Sequence, residues 1–104
     1  SVQEVAEMTV KCLNANVPSE LPGITFLSGG QSDVDATAHL DAMNKIGGFP
    51  WKLSFSYGRA LQQPCLKVWL GKEANVSQAQ DALSHRALMN KLAANGAWNL
   101  DLEN

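Results

Sequence analysis

Apolar residues recur at Val2, Ala6, Val10 and Leu13, a spacing that gathers them on one helical face. Ser1 followed three residues later by Glu4 forms a capping box, so an amphipathic helix is predicted over 1–16. Two prolines and a glycine between Val17 and Gly23 end it. Ile24-Thr25-Phe26-Leu27 is β-rich without polar alternation and predicts a strand over 24–27, buried on both faces as in a parallel sheet. Ser32 and Asp35 make a second capping box opening a helix over 33–46, which Gly47-Gly48 stops. Leu53-Ser54-Phe55-Ser56 predicts a second strand over 53–56. A short helix over 60–70 follows, broken or started at Pro64. A loop over 71–76 leads to a longer helix over 77–94, with Ala79, Leu83, Ala87, Leu88 and Leu92 as its apolar face and Asn95-Gly96 as its stop. The tail over 97–104 has no clear period.

Strands alternating with helices imply parallel pairing through right-handed crossovers, the unit of doubly wound sheets and eight-stranded barrels. With only two strands, ladder groups remain unpaired at each side, so the pattern reads as part of a larger α/β fold. An open reading frame starts with Met, so Ser1 implies processing or a chain cut from something longer.

Composition narrows the function classes. The chain has 104 residues, 45% hydrophobic and 17% charged, enough for one domain with a modest core. A formal charge of −2 provides no basic footprint for nucleic acid. No apolar run approaches the roughly 20 residues a membrane span needs. Cys12 and Cys65 stand outside any Cys-x-x-Cys pair, so neither zinc nor a redox motif is signalled, and both read as buried, reduced thiols of a cytoplasmic protein. His39 and His85 are lone helical histidines without a second ligand at metal spacing. Trp51, Trp69 and Trp98 read as packing residues. Asp33 and Asp35 suit the amino terminus of their helix.

The strongest chemical signal is the repetition at the strand ends, Leu27-Ser-Gly-Gly-Gln-Ser32 and Phe55-Ser-Tyr-Gly-Arg59. Ligands of parallel α/β folds bind outside the carboxyl ends of the strands, and glycine there lets backbone N–H groups approach an oxyanion. Gly29, Gly30 and Gly58 therefore form one candidate anion pocket, with adjacent helix amino termini and Arg59 as a bidentate fork. Taken singly, Ser-Gly-Gly reads as a tight turn; two such loops on successive strands favour a shared phosphate site. In eight-stranded barrels such a site is frequently formed by the loops after strands 7 and 8 and the amino end of a short extra helix, for which the stretch after Gly58 is the candidate.

Gly23-Ile-Thr-Phe-Leu-Ser-Gly-Gly-Gln-Ser32 and Leu53-Ser-Phe-Ser-Tyr-Gly-Arg-Ala-Leu61 resemble the two signature segments near the end of class I, Schiff-base-forming fructose-1,6-bisphosphate aldolases. The likeness extends over about residues 4–94, through Trp51, Lys67-Val-Trp-Leu-Gly-Lys72, Asn75, Gln80 and Arg86-Ala-Leu-Met-Asn-Lys-Leu-Ala93. The resemblance implies the last two strand–helix units of a TIM (β/α)8 barrel, incomplete as a 104-residue chain. It also implies a cytoplasmic glycolytic lyase, usually a homotetramer, that uses no metal or other cofactor. By the same resemblance Ser28, Gly29, Gly58 and Arg59 hold a phosphate of the sugar bisphosphate and of dihydroxyacetone phosphate. Leu27, Gly30, Ser56 and Tyr57 are secondary candidates beside them. No catalytic residue is expected here, because the family's Schiff-base lysine lies on the preceding strand and its other catalytic groups lie earlier. Lys11, Lys45, Lys52, Lys67, Lys72 and Lys91 read as solvated. Animal members end in a longer mobile tail finishing with tyrosine, whereas this chain stops at Leu100-Asp-Leu-Glu-Asn104. Two alternatives stay open: a free-standing, non-enzymatic phosphate-binding module, and another Schiff-base sugar-phosphate aldolase.

Overall fold

The computed structural model describes all 104 residues, Ser1–Asn104. Helix α1 spans Val2–Asn16, strand β1 Gly23–Phe26, helix α2 Asp33–Ile46 and strand β2 Lys52–Phe55. Helix α3 spans Arg59–Trp69, α4 spans Val76–Ala94, and short 3-10 turns occupy Glu73–Asn75 and Leu100–Glu103. Both capping serines accept a hydrogen bond, Ser1 Oγ from the Glu4 N–H and Ser32 Oγ from the Asp35 N–H. Each satisfies an otherwise orphaned donor and fixes where its helix begins.

The strands pair in parallel with Ile24 opposite Leu53 and Phe26 opposite Phe55. Those four side chains point to the helices; Thr25 and Ser54, also opposite one another, occupy the other face. Both strands begin and end one residue earlier than the hydrophobic runs suggest, which puts Leu27 and Ser56 in the loops. Nor is β1 buried on both faces: Gly23 and Thr25 are exposed, because no second layer covers their side of a two-stranded sheet.

Leu40, Met43, Trp51, Leu53, Met89, Ala93 and Trp98 build the main core, with Ala6 and Val10 entering from α1. Helix α3 runs through Pro64 rather than breaking there, giving up only the ladder bond that proline cannot donate. It ends at Leu70, a non-glycine residue in the left-handed region at φ 55°. The side of α4 facing inward differs from the apolar stripe. Leu83 and Leu88 are 38% and 49% exposed, whereas Arg86 and Asn90 are buried, where α2 and the tail supply partners for the Arg86 terminal nitrogens and for Asn90 Oδ1 but leave Arg86 Nε and Asn90 Nδ2 unpartnered. The two thiols are free, but Cys12 is exposed on the side of α1 away from Ala6 and Val10, and Cys65 is half-buried in a groove between α3 and α4. Trp69 in that groove is 43% exposed, unlike buried Trp51 and Trp98.

The tail is ordered by polar anchors. The Trp98 N–H donates to Asp41 at 3.0 Å, Lys45 donates to the Trp98 carbonyl at 2.6 Å, and Glu103 receives Arg86.

The chain is extended for its size. Its radius of gyration is 15.0 Å, where a compact domain of this length has about 13 Å. It exposes 6481 Å², against about 5,700 Å² for a compact monomer of this mass. Only 18 of 104 residues are buried, which follows from a sheet with two unpaired edges and one open face.

Candidate functional site

Parallel pairing carries both strands to the same end of the molecule, and the Ser56 N–H donates to the Phe26 carbonyl at 2.9 Å just where the two loops begin. The loop after β1 therefore leads into the amino end of α2 beside the place where the shorter loop after β2 enters α3. Partial positive charge from both helix ends converges there.

The loop after β1 is shaped by Ser28, whose carbonyl accepts the Gln31 N–H at 3.0 Å, and by Gly29 and Gly30 at φ 58° and 88°. Such φ values disfavour residues with a Cβ, so the turn itself favours glycine at 29 and 30. Gln31 Oε1 lies 3.0 Å from His39 Nδ1, a bond that holds the loop onto α2 when that nitrogen carries the proton.

Gly58 is different. It caps α3 at φ −91°, a value open to other residues, and an added Cβ would meet no atom within 4 Å. Crowding does not account for glycine here and its φ does not require it, although its ψ of −84° lies beyond the helical region. Its carbonyl accepts the N–H groups of Leu61 and Gln62, while the first N–H groups of α3 face outward for want of earlier carbonyls. Arg59 follows at once, exposed and without a carboxylate partner.

Arg59 lines a cleft of about 230 Å³ together with Gln31, Ser32, Asp33, Gln63 and Lys67. Two cations face it, and its single carboxylate, Asp33, is paired with Arg86 at 3.2 Å. The cleft thus favours an anion. Ser28, Gly29, Gly30 and Gly58 lie on the loops that converge on this end of the sheet but do not line the cleft. Ser28 is buried, Leu27 is 75% exposed, and Ser56 is exposed. Tyr57 is turned away from solvent: its hydroxyl donates to the Ala36 carbonyl at 2.9 Å, and burial pushes its pKa up to about 12. All six lysines are solvent-exposed. No three His, Cys, Asp or Glu side chains come together as a metal centre, and no helix is long and apolar enough to cross a membrane.

The family model for glycolytic fructose-bisphosphate aldolase class-I matches residues 1–104. The chain belongs to the class I fructose-bisphosphate aldolase family. It is 56% identical over 99 residues to a probable class 1 fructose-bisphosphate aldolase of Xylella fastidiosa (strain 9a5c), covering 94% of this chain and 30% of that one. It is 52% identical over 101 residues to the chloroplastic fructose-bisphosphate aldolase of Oryza sativa subsp. japonica, covering 97% and 26%. Among solved structures it is similar to the fructose-bisphosphate aldolase of Plasmodium falciparum, determined in complex with TRAP and a small-molecule inhibitor. That match has a TM-score of 0.92 and 46% identity, over 95% of this chain and 28% of the other. This aldolase segment thus spans 30% or less of the length of these relatives.

Sequence reasoning missed Arg86 and Glu103. Arg86 stands in a helix that reads as ordinary, and only the tertiary fold brings it to Asp33.

Proposed function

We propose that this segment is the phosphate-binding corner of a class I fructose-bisphosphate aldolase. The whole enzyme cleaves fructose 1,6-bisphosphate to dihydroxyacetone phosphate and glyceraldehyde 3-phosphate in glycolysis. In this reading β1 and β2 are the last two strands of a (β/α)8 barrel assembled as a homotetramer, and the remaining strands cover the open sheet face and edges. The imine-forming lysine and the acid–base groups belong to the preceding part of the barrel, and the chemistry needs no metal.

The observation that carries this reading is the amino end of α3, where a glycine that neither its φ nor its neighbours require stands next to an unpaired arginine. Ser28, Gly29, Gly58 and Arg59 hold the phosphate by backbone N–H groups, a hydroxyl and a guanidinium. Leu27, Gly30 and Ser56 lie at the rim. The segment's part in catalysis is positioning: a phosphate fixed at this end of the sheet sets the distance from the substrate carbonyl to the lysine.

Arg59→Ala in the full-length enzyme tests it. Loss of a charge-assisted contact costs about 1.5 to 3 kcal/mol of dihydroxyacetone phosphate affinity, with unphosphorylated dihydroxyacetone little affected. Equal weakening of both ligands would refute the assignment.

A further inference from the structure

Arg86 is a charged side chain only 5% exposed, and the phosphate-binding reading leaves it without a task. Its Nη2 lies 2.6 Å from Glu103 Oε1 and 3.2 Å from Asp33 Oδ2, and its Nη1 donates to Glu103 Oε2 at 2.9 Å and to Thr37 Oγ1 at 3.3 Å. One guanidinium thus joins the start of α2, the body of α4 and the last turn of the chain. Glu103 is fixed in turn by Trp98, whose Nε1–H donates to Oε2 at 2.9 Å, and His85 lies 3.5 Å from Oε1.

Asp33 is what connects this cluster to the site. It directly follows Ser32, the residue that closes the loop after β1, and it is the only carboxylate lining the Arg59 cleft. A bare carboxylate in that position would repel an incoming phosphate dianion and would offset the attraction of Arg59 and Lys67. We propose that Arg86 is a positioning residue of the anion site, offsetting part of the charge of Asp33 and anchoring the start of α2, with Glu103 orienting the guanidinium from behind. The role rests on the reading of this end of the sheet as a sugar-phosphate site. It gives the final turn of the chain a part in substrate affinity at a distance, through Arg86.

The test uses charge epistasis in the full-length enzyme, reading KM and kcat for fructose 1,6-bisphosphate. Arg86→Met raises KM at least tenfold and changes kcat less, because the exposed charge of Asp33 opposes binding. Adding Asp33→Asn to Arg86→Met brings KM back to within about threefold of the parent, an outcome that a purely structural loss would not give. Failure of the second substitution to restore KM overturns the proposal. Should Arg86→Met fail to fold, Asp33→Asn alone decides: an unchanged or lowered KM supports the role, and a tenfold rise overturns it by showing that Asp33 itself serves the substrate. Arg59→Ala runs beside these variants. If it leaves phosphate affinity untouched, the site reading fails; if it weakens affinity while Arg86→Met does not, only the role of Arg86 fails.

Discussion

Replacing Gly58 with alanine separates a ligand-approach glycine from a turn glycine. At φ −91°, with no atom within 4 Å of an added Cβ, the methyl group meets no steric obstacle in the folded chain. Alanine is a poorer helix N-cap than glycine, by some tenths of a kcal/mol to about 1 kcal/mol. It also restricts the unfolded chain, which returns about 0.4 to 1 kcal/mol. The two nearly cancel, and the expected stability change stays within about 1 kcal/mol. A ligand, by contrast, must come within about 3 Å of the backbone N–H groups at the start of α3 to accept from them. A methyl group standing there removes or lengthens at least one charge-assisted hydrogen bond, worth about 1.5 to 3 kcal/mol. That converts to about 10- to 150-fold in affinity. The assay pairs denaturant unfolding with the affinity of the full-length enzyme for dihydroxyacetone phosphate. Gly29→Ala is the comparison: at φ 58° it pays about 1 kcal/mol or more of backbone strain in stability. If Gly58→Ala unfolds the protein more readily by 2 kcal/mol or more, in the manner of Gly29→Ala, while affinity is unchanged, the reasoning is wrong and Gly58 only shapes the loop.

Further outcomes follow from the core and the titrating groups. Leu40, wholly buried in the main core, loses about 2.5 to 5 kcal/mol of stability on truncation to alanine, measurable by urea unfolding. Tyr57→Phe leaves the Ala36 carbonyl without its donor and costs about 1 kcal/mol. Because burial raises the Tyr57 pKa to about 12, its contribution is complete below the ordinary value near 10 and is lost as pH rises toward 12; an alkaline unfolding titration loses this component in Tyr57→Phe. Glu103 has the opposite sign. Burial opposes its ionisation, but hydrogen bonds from Arg86 and Trp98 outweigh that and hold its carboxyl below the ordinary range. Its contribution is therefore present above about pH 4.3 and lost as pH falls through the lowered value, and Glu103→Gln flattens the acid limb of stability.

The alternation of elements was legible in the residues because each start and stop is a local event. Ser1 and Ser32 cap the helices they begin, and Gly47 ends α2 at φ 67°. The convergence of the two glycine loops at one end of the sheet was legible in the same way, since strand order and loop composition are both carried by contiguous residues; the anion site placed there is the proposal that the Arg59→Ala experiment tests. What periodicity misjudged were faces. Helix α4 buries Arg86 and Asn90 and leaves Leu83 and Leu88 half exposed, because burial depends on which partners lie opposite, and Thr37, Asp33 and Glu103 come from 49, 53 and 17 residues away. The open face of β1 has the same origin: a hydrophobic run states what a strand can tolerate, and only the neighbouring layer determines what is covered. Local sequence thus determined, to within a residue or so, where most elements begin and end. The tertiary structure alone decided which charges meet, since the Arg86 cluster depends on pairings across three segments that no local pattern encodes.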